Sequence, residues 1–142
     1  MIQKYMSRIS GPLFDRIDLH VEVPSVRFSD LSEKPVGEPS KVKRERVQRA
    51  REIQLERFKA IDKKYCNANM DTKEIRRFCS ISESGKVLLK TAMEKLGLSA
   101  RAYDRILKVA RTIADLNNQP DIQHQHLGEA IQYRSLDRQL WL

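Results

Sequence analysis

Arg101, Arg105 and Lys108 recur at intervals of four and three residues in "SARAYDRILKVARTIADL", a spacing that puts three cations on one face of a helix. Arg101 stands two residues past Ser99, in the first turn, where the helix dipole opposes a positive charge. Such a position becomes favourable beside an anion, so phosphate contact is the chemistry these residues suggest. The plainer reading is a solvated face tied by Asp104–Lys108 and Arg111–Asp115 pairs. A second basic cluster, Lys41 to Lys59, holds eight Lys or Arg against three Glu. Its Lys41, Lys43, Arg44, Arg46 and Arg49 suit a nucleic-acid backbone, or else belong to a solvated helix held by Glu–Arg pairs. Arg16 stands just before an alternating segment, where its plainer reading is an ion pair with Asp15 or Asp18.

Other residue types carry less. Asp18, His20 and Glu22 share one face of that alternating segment and read as solvent-facing polarity rather than a metal site. His124 and His126 lie two apart at a helix start and diverge, so they are poor co-ligands. Cys66 and Cys79 have no partner at zinc spacing and read as reduced, core or half-buried thiols. No metal-binding residue is assigned. A GxxxxGK[ST] loop is absent, as is an acidic strand end to hold Mg²⁺.

The net charge of +8 favours an anionic partner such as nucleic acid, nucleotide or an acidic surface. No run approaches the roughly 20 apolar residues of a membrane span, and no apolar signal segment opens the chain, so the sequence predicts a cytoplasmic protein with no membrane partner.

The elements that must position these residues are mostly helical. At 142 residues the chain supports one core. Ile17 to Val23 alternates, with Ile17, Leu19, Val21 and Val23 on one face, and predicts a strand with that face buried. Pro24 ends it, and "FSDLSEKPVGEPS" reads as a linker, with a boundary near Pro39. From Lys41 to about Ile61 a run free of Gly and Pro predicts a long helix. Asp71 caps a short helix to about Cys79, with Ile75, Phe78 and Cys79 inward. Ser82 caps the next, whose stripe is Val87, Leu88, Ala92, Met93 and Leu96, and Gly97 stops it. Ser99 caps the core helix, where Tyr103, Ile106, Leu107, Ala110, Ile113 and Ala114 recur at helical spacing until "NNQPD" breaks it. A last helix, about Gln123 to Tyr133, adds Leu127, Ala130 and Ile131. The expected fold is all-α: a small helical bundle, preceded by an orphan strand with no β partner downstream. Either that strand adds to another protein, or these residues are the C-terminal part of a longer chain.

"YMSRISGPLFDRIDLHVEVP" resembles the end of the ATPase core in magnesium-chelatase-like AAA+ proteins. "LGLSARAYDRILKVARTIADL" followed by "HLGEAIQYR" resembles their C-terminal helical lid, and the ComM/YifB group matches over nearly all of the chain. The resemblance implies three parts: residues 1–25 as the end of the core, 26–40 as a linker and 41–142 as the lid. It implies that the strand is the last of a parallel sheet, and that Arg16 is an arginine finger reaching the γ-phosphate of a neighbouring subunit. Arg8 is a weaker candidate for that role. Arg101 matches the sensor-2 arginine, with Arg105 beside it at the nucleotide. ATP with Mg²⁺ would be bound by the full-length protein, in a homo-oligomeric ring, expected to be a hexamer, that acts on DNA as a branch-migration helicase. Without its own phosphate loop this segment would not hydrolyse ATP, and no cofactor is expected on it alone. Two other readings stand beside this one: a free-standing basic nucleic-acid-binding bundle, and an interaction subunit of a metal chelatase complex.

Overall fold

The structure, a computed structural model, describes residues 16–21, 23, 25 and 37–134. Among the described residues the chain forms five helices and one 3-10 turn, Asn67–Asn69, with no strand. Helix α1 (Ser40–Phe58) runs through 19 residues without a breaker. It stops short of Ile61, whose amide instead donates to the Phe58 carbonyl at 2.8 Å, and Lys63 at φ 59° turns the chain away. Only the second half of α1 packs. Ala50, Gln54 and Phe58 are buried, whereas residues 40–45 are exposed.

The following helices start at local signals. Asp71 caps α2 (Thr72–Phe78) by accepting from the Lys73 and Glu74 amides, and the Glu74 carboxylate accepts from the Asp71 amide at 3.0 Å. Ser82 caps α3 (Glu83–Leu96) by accepting from the Gly85 amide at 3.2 Å, and Gly97 ends it at φ 63°, the left-handed region that glycine enters without strain. Ser99 caps α4 (Ala100–Leu116), which leaves through Asn118 at φ 54°. In α5 (His124–Gln132) the first turn is closed by His126, whose Nδ1 accepts from the Gln123 amide at 3.0 Å.

Helix α4 is the centre. It packs against α1, α2, α5 and the 3-10 turn, while α5 packs against α3. Its Ile106, Leu107, Ala110 and Ile113 are buried among Phe58, Ile75, Cys79, Leu89, Leu127 and Ala130. Burying each large apolar side chain contributes about 1.5–3 kcal/mol, so this interface outweighs any single surface pair. Phe58 meets Phe78 edge to face at 5.7 Å.

The bundle agrees with the sequence reading in its helices and differs in the placement of several side chains. Val87, expected inward, is 66% exposed, and Leu89 is buried instead. The reason is helical phase: Val87 and Leu96 are nine residues apart, two and a half turns, and so lie on opposite faces. The buried line of α3 begins at Gly85, where a Cβ would come within 2.9 Å of Leu127 Cδ1. Tyr103 is exposed as well. Burial also recasts the Arg111–Asp115 pair, which forms at 3.1 Å in the interior and not on a solvated face.

The segment expected as a strand is irregular at residues 17–21 and 23. Its facing also differs, although Asp18 is exposed as expected. Ile17, Leu19, Val21 and Val23 are exposed and His20 is buried. A strand needs a neighbour to complete its ladder; among the described residues it has none, and the chain turns to the end of α5. The His20 amide donates to the Tyr133 carbonyl at 2.8 Å, and the Arg134 guanidinium donates to the Ile17 carbonyl. Arg8, Asp15 with the rest of the "GPLFD" turn, Glu22, Pro24 and linker residues 26–36 lie outside the described residues.

Candidate functional site

The Ser99 cap fixes where α4 begins, with its hydroxyl accepting from the Ala102 amide at 3.2 Å. From that start the 3.6-residue period aims Arg101, Arg105 and Lys108 away from the Ile106–Ala110–Ile113 line. All three border one groove of about 660 Å³. It is lined as well by Val109, Ile113 and Leu116 of α4 and by Glu129 and Tyr133 of α5. Asp18, Leu19 and Ala68 of the 3-10 turn complete the lining.

The three cations are held differently. Arg105 is ion-paired with Asp18 across the groove. Lys108 Nζ donates to the Ala68 carbonyl at 3.1 Å. Arg101 is exposed and makes no ion pair with any described residue. An uncompensated guanidinium in the first turn of a helix has forked donors and a permanent charge available to an incoming anion. Asp104 and Glu129 border the same groove, and Tyr133 Oη donates to Glu129 at 3.3 Å.

Thr112, on the groove, belongs to a polar network of which the sequence reading named the Arg111–Asp115 pair alone. The Asp115 carboxylate accepts from Arg57 at 2.7 and 2.5 Å, from Arg111 Nε at 3.1 Å and from Asn67 Nδ2 at 2.8 Å. Arg57 also donates to Asn67 Oδ1 at 2.7 Å, and Asn67 Nδ2 reaches Thr112 Oγ1 at 3.0 Å. Arg111 uses its remaining donors on the Pro120 and Gln119 carbonyls at 2.7 and 2.6 Å. This network joins α1 to α4 and fixes the 3-10 turn that supplies Ala68. Arg57 and Asp115 are 58 residues apart, so no local pattern joins them.

The other residues singled out in the sequence stand apart from the groove. Arg16 is exposed and does not line it. Lys41, Lys43, Arg44 and Arg49 are exposed on the first half of α1, and Arg46 is bound to Glu38 by two bonds of 3.2 and 2.9 Å. Cys66 and Cys79 are free thiols, and burial pushes Cys79 up to about 11. Among the described residues no group of three or more His, Cys, Asp or Glu could hold a metal ion, and no helix is long and apolar enough to cross a membrane.

Comparison with known proteins places these features in context. Residues 37–134 match the family described as magnesium chelatase, subunit ChlI C-terminal, and residues 1–31 match that described as magnesium chelatase, subunit ChlI. The chain is 46% identical over 140 residues to "Competence protein ComM" of Haemophilus influenzae, covering 98% of this chain and 26% of the relative. It is 44% identical over 138 residues to "Uncharacterized protein YifB" of Escherichia coli, covering 96% and 26%. A Mycobacterium tuberculosis relative is 32% identical over 132 residues, covering 93% and 26%. The chain therefore spans about a quarter of the length of the curated relatives it matches.

Proposed function

The chain belongs to the magnesium chelatase subunit ChlI family through its C-terminal domain, and from that premise we propose that it is the lid and sensor segment of a ring-forming AAA+ ATPase. In this reading residues 1–25 finish the ATPase core, 26–40 link, and 41–142 form the lid. The parent ring, of which a hexamer is the expected form, works in the cytoplasm. The apolar face of Ile17, Leu19, Val21 and Val23, exposed here, would then be covered by the sheet of the core.

The observation that carries the reading is the row of three cations along one wall of the groove, with Arg101 available to an anion. Arg101 and Arg105 contact the nucleotide phosphates, with Lys108 at the far end of the row. Bound ATP supplies the phosphoryl group. These residues hold its charge and couple its presence to α4, and through the Asp115 network to α1. Guanidinium donors suit phosphate because they are permanently charged and forked. The described residues offer no carboxylate cluster for Mg²⁺, which falls to the upstream core. Arg16 acts in trans on the nucleotide of a neighbouring subunit, where charge builds on the transferring phosphoryl group.

Steady-state ATPase of the polypeptide extended upstream to the length of its relatives tests this. Arg16→Ala and Arg101→Ala each lower turnover at least tenfold with folding intact. Unchanged turnover in both would overturn the assignment.

One observation supports DNA as the partner of the parent protein. The first half of α1 stands clear of the bundle with Lys41, Lys43, Arg44 and Arg49 exposed, a charge density suited to phosphate backbone. The ComM relative is by name a competence protein, and a DNA branch-migration role fits that name.

A further inference from the structure

Residues 59–65, which join the end of α1 to the 3-10 turn, carry charge beside an exposed aromatic ring. Two hollows of about 500 and 360 Å³ share Ala60, Ile61 and Asp62 of this loop, so they adjoin. Leu55, Lys59, Lys63, Lys64 and Tyr65 line the larger, and Lys73, Glu74 and Arg77 of α2 line the smaller. Five cations thus meet two carboxylates, Asp62 and Glu74, and Glu74 is already paired with Lys64. The surplus is positive. Lys63, Lys73 and Arg77 are exposed and make no ion pair with any described residue. Tyr65 is 66% exposed and Leu55 49%, so apolar surface stands open next to that charge. The loop is held in place: the Tyr65 amide donates to Asn69 Oδ1 at 3.4 Å, and Lys63 sits at φ 59°, a region that a lysine enters only at a cost.

We propose that residues 59–65 and α2 form a contact site for single-stranded nucleic acid, in which a base stacks on the Tyr65 ring while Lys59, Lys63, Lys73 and Arg77 meet the flanking phosphates. The proposal rests on the DNA reading above and names the form of strand that this surface takes. In a duplex the faces of the bases are covered by their neighbours, so an exposed ring finds nothing to stack on; a single strand offers both base faces and phosphates. An acidic peptide would satisfy the lysines but leave Tyr65 and Leu55 without a role. The loop is separate from the other basic surfaces. It shares no residue with the groove along α4, and Lys59 lies about 27 Å along α1 from Lys41, far from the end by which the chain enters the bundle.

The test is fluorescence anisotropy at low salt of a labelled oligothymidylate of about 15 nucleotides, and of a duplex of the same length, titrated with the 142-residue chain. Tyr65→Ala is expected to weaken oligothymidylate binding about fivefold or more, the scale of one lost stack, while Tyr65→Phe keeps the wild-type affinity and neither changes duplex binding. Replacing Lys63 and Lys73 together with Ala lowers the slope of log K against log salt for the single strand by about 1.4. The Tyr65 effect persists when Lys41, Lys43 and Arg44 are replaced with Ala, and in the polypeptide extended upstream to the length of its relatives. Equal affinity of wild type and Tyr65→Ala for oligothymidylate in either polypeptide, or an equal loss on the duplex, would overturn the stacking site and leave the α1 arm to stand on its own salt slope. Competition by polyglutamate as strong as that by oligothymidylate, and indifferent to Tyr65→Ala, would make this an acidic-protein surface and overturn the site too. No binding of either nucleic acid by the wild type would overturn both the site and the DNA reading.

Discussion

Asp115 is fully buried, and two guanidiniums and an amide close on its carboxylate. Taking that charge away leaves Arg57 and Arg111 facing one another without an anion, and breaking a buried pair in this way costs about 3–5 kcal/mol. Asp115→Asn is therefore expected to lower the unfolding free energy by about 3 kcal/mol in urea titration, and to loosen α1 first. His126 is a second buried polar group, with its affinity for protons lowered first by burial and then by the Arg111 charge. The unfolded chain binds the proton more tightly, at the ordinary histidine value of 6.5. The stabilisation is thus complete above that pH and is lost as pH falls through the lower folded value. Urea midpoints measured from pH 7.5 to 5 should fall in the wild type, and His126→Gln, which keeps an acceptor for the Gln123 amide, should flatten that fall. Both residues were visible in the sequence, but their burial was not, because it depends on which distant side chains arrive beside them.

At the scale of elements, punctuation decides where the helices begin and end. Asp71, Ser82 and Ser99 each accept a hydrogen bond from an amide of the first turn, which would otherwise lack a partner. Gly97 closes α3 at φ 63°, with its amide donating to the Met93 carbonyl. Gly97→Ala places a Cβ in the left-handed region and is expected to lower stability by about 1 kcal/mol, read as a shift in the thermal midpoint without loss of helix content. These signals act within a turn, so the sequence alone locates them. The phase of α3 is less local. Val87 belongs to an apolar cluster in sequence yet faces solvent, because the face that packs on α5 begins at Gly85.

For the molecule as a whole, charge and shape divide the labour. The Lys41–Lys59 run carries five of the eight net positive charges, and the half of it that stands clear of the bundle is the half without packing partners. If that half contacts DNA, affinity falls steeply with salt, with a slope of about 0.9 per duplex phosphate contact. Replacing Lys41, Lys43 and Arg44 with Ala should then reduce the slope of log K against log salt by nearly 3. An unchanged slope would remove the arm from the interface. The groove lies elsewhere, along α4, so the same triple variant should leave tripolyphosphate binding intact.

The sequence by itself determined the number and order of the helices, the caps of α2, α3 and α4, the central role of α4 and the common face of Arg101, Arg105 and Lys108. Those features follow from propensity, capping chemistry and a 3.6-residue period, all of which act over a few neighbouring residues. Tertiary structure alone decided that Asp18 meets Arg105, that Lys108 reaches Ala68, that Arg57 and Asn67 close on Asp115, and that His20 turns inward while Leu19 and Val21 turn out. Each of these joins residues dozens of positions apart, or depends on what packs against an apolar face. Packing of the whole bundle, and not any local pattern, brings such groups together or leaves them exposed.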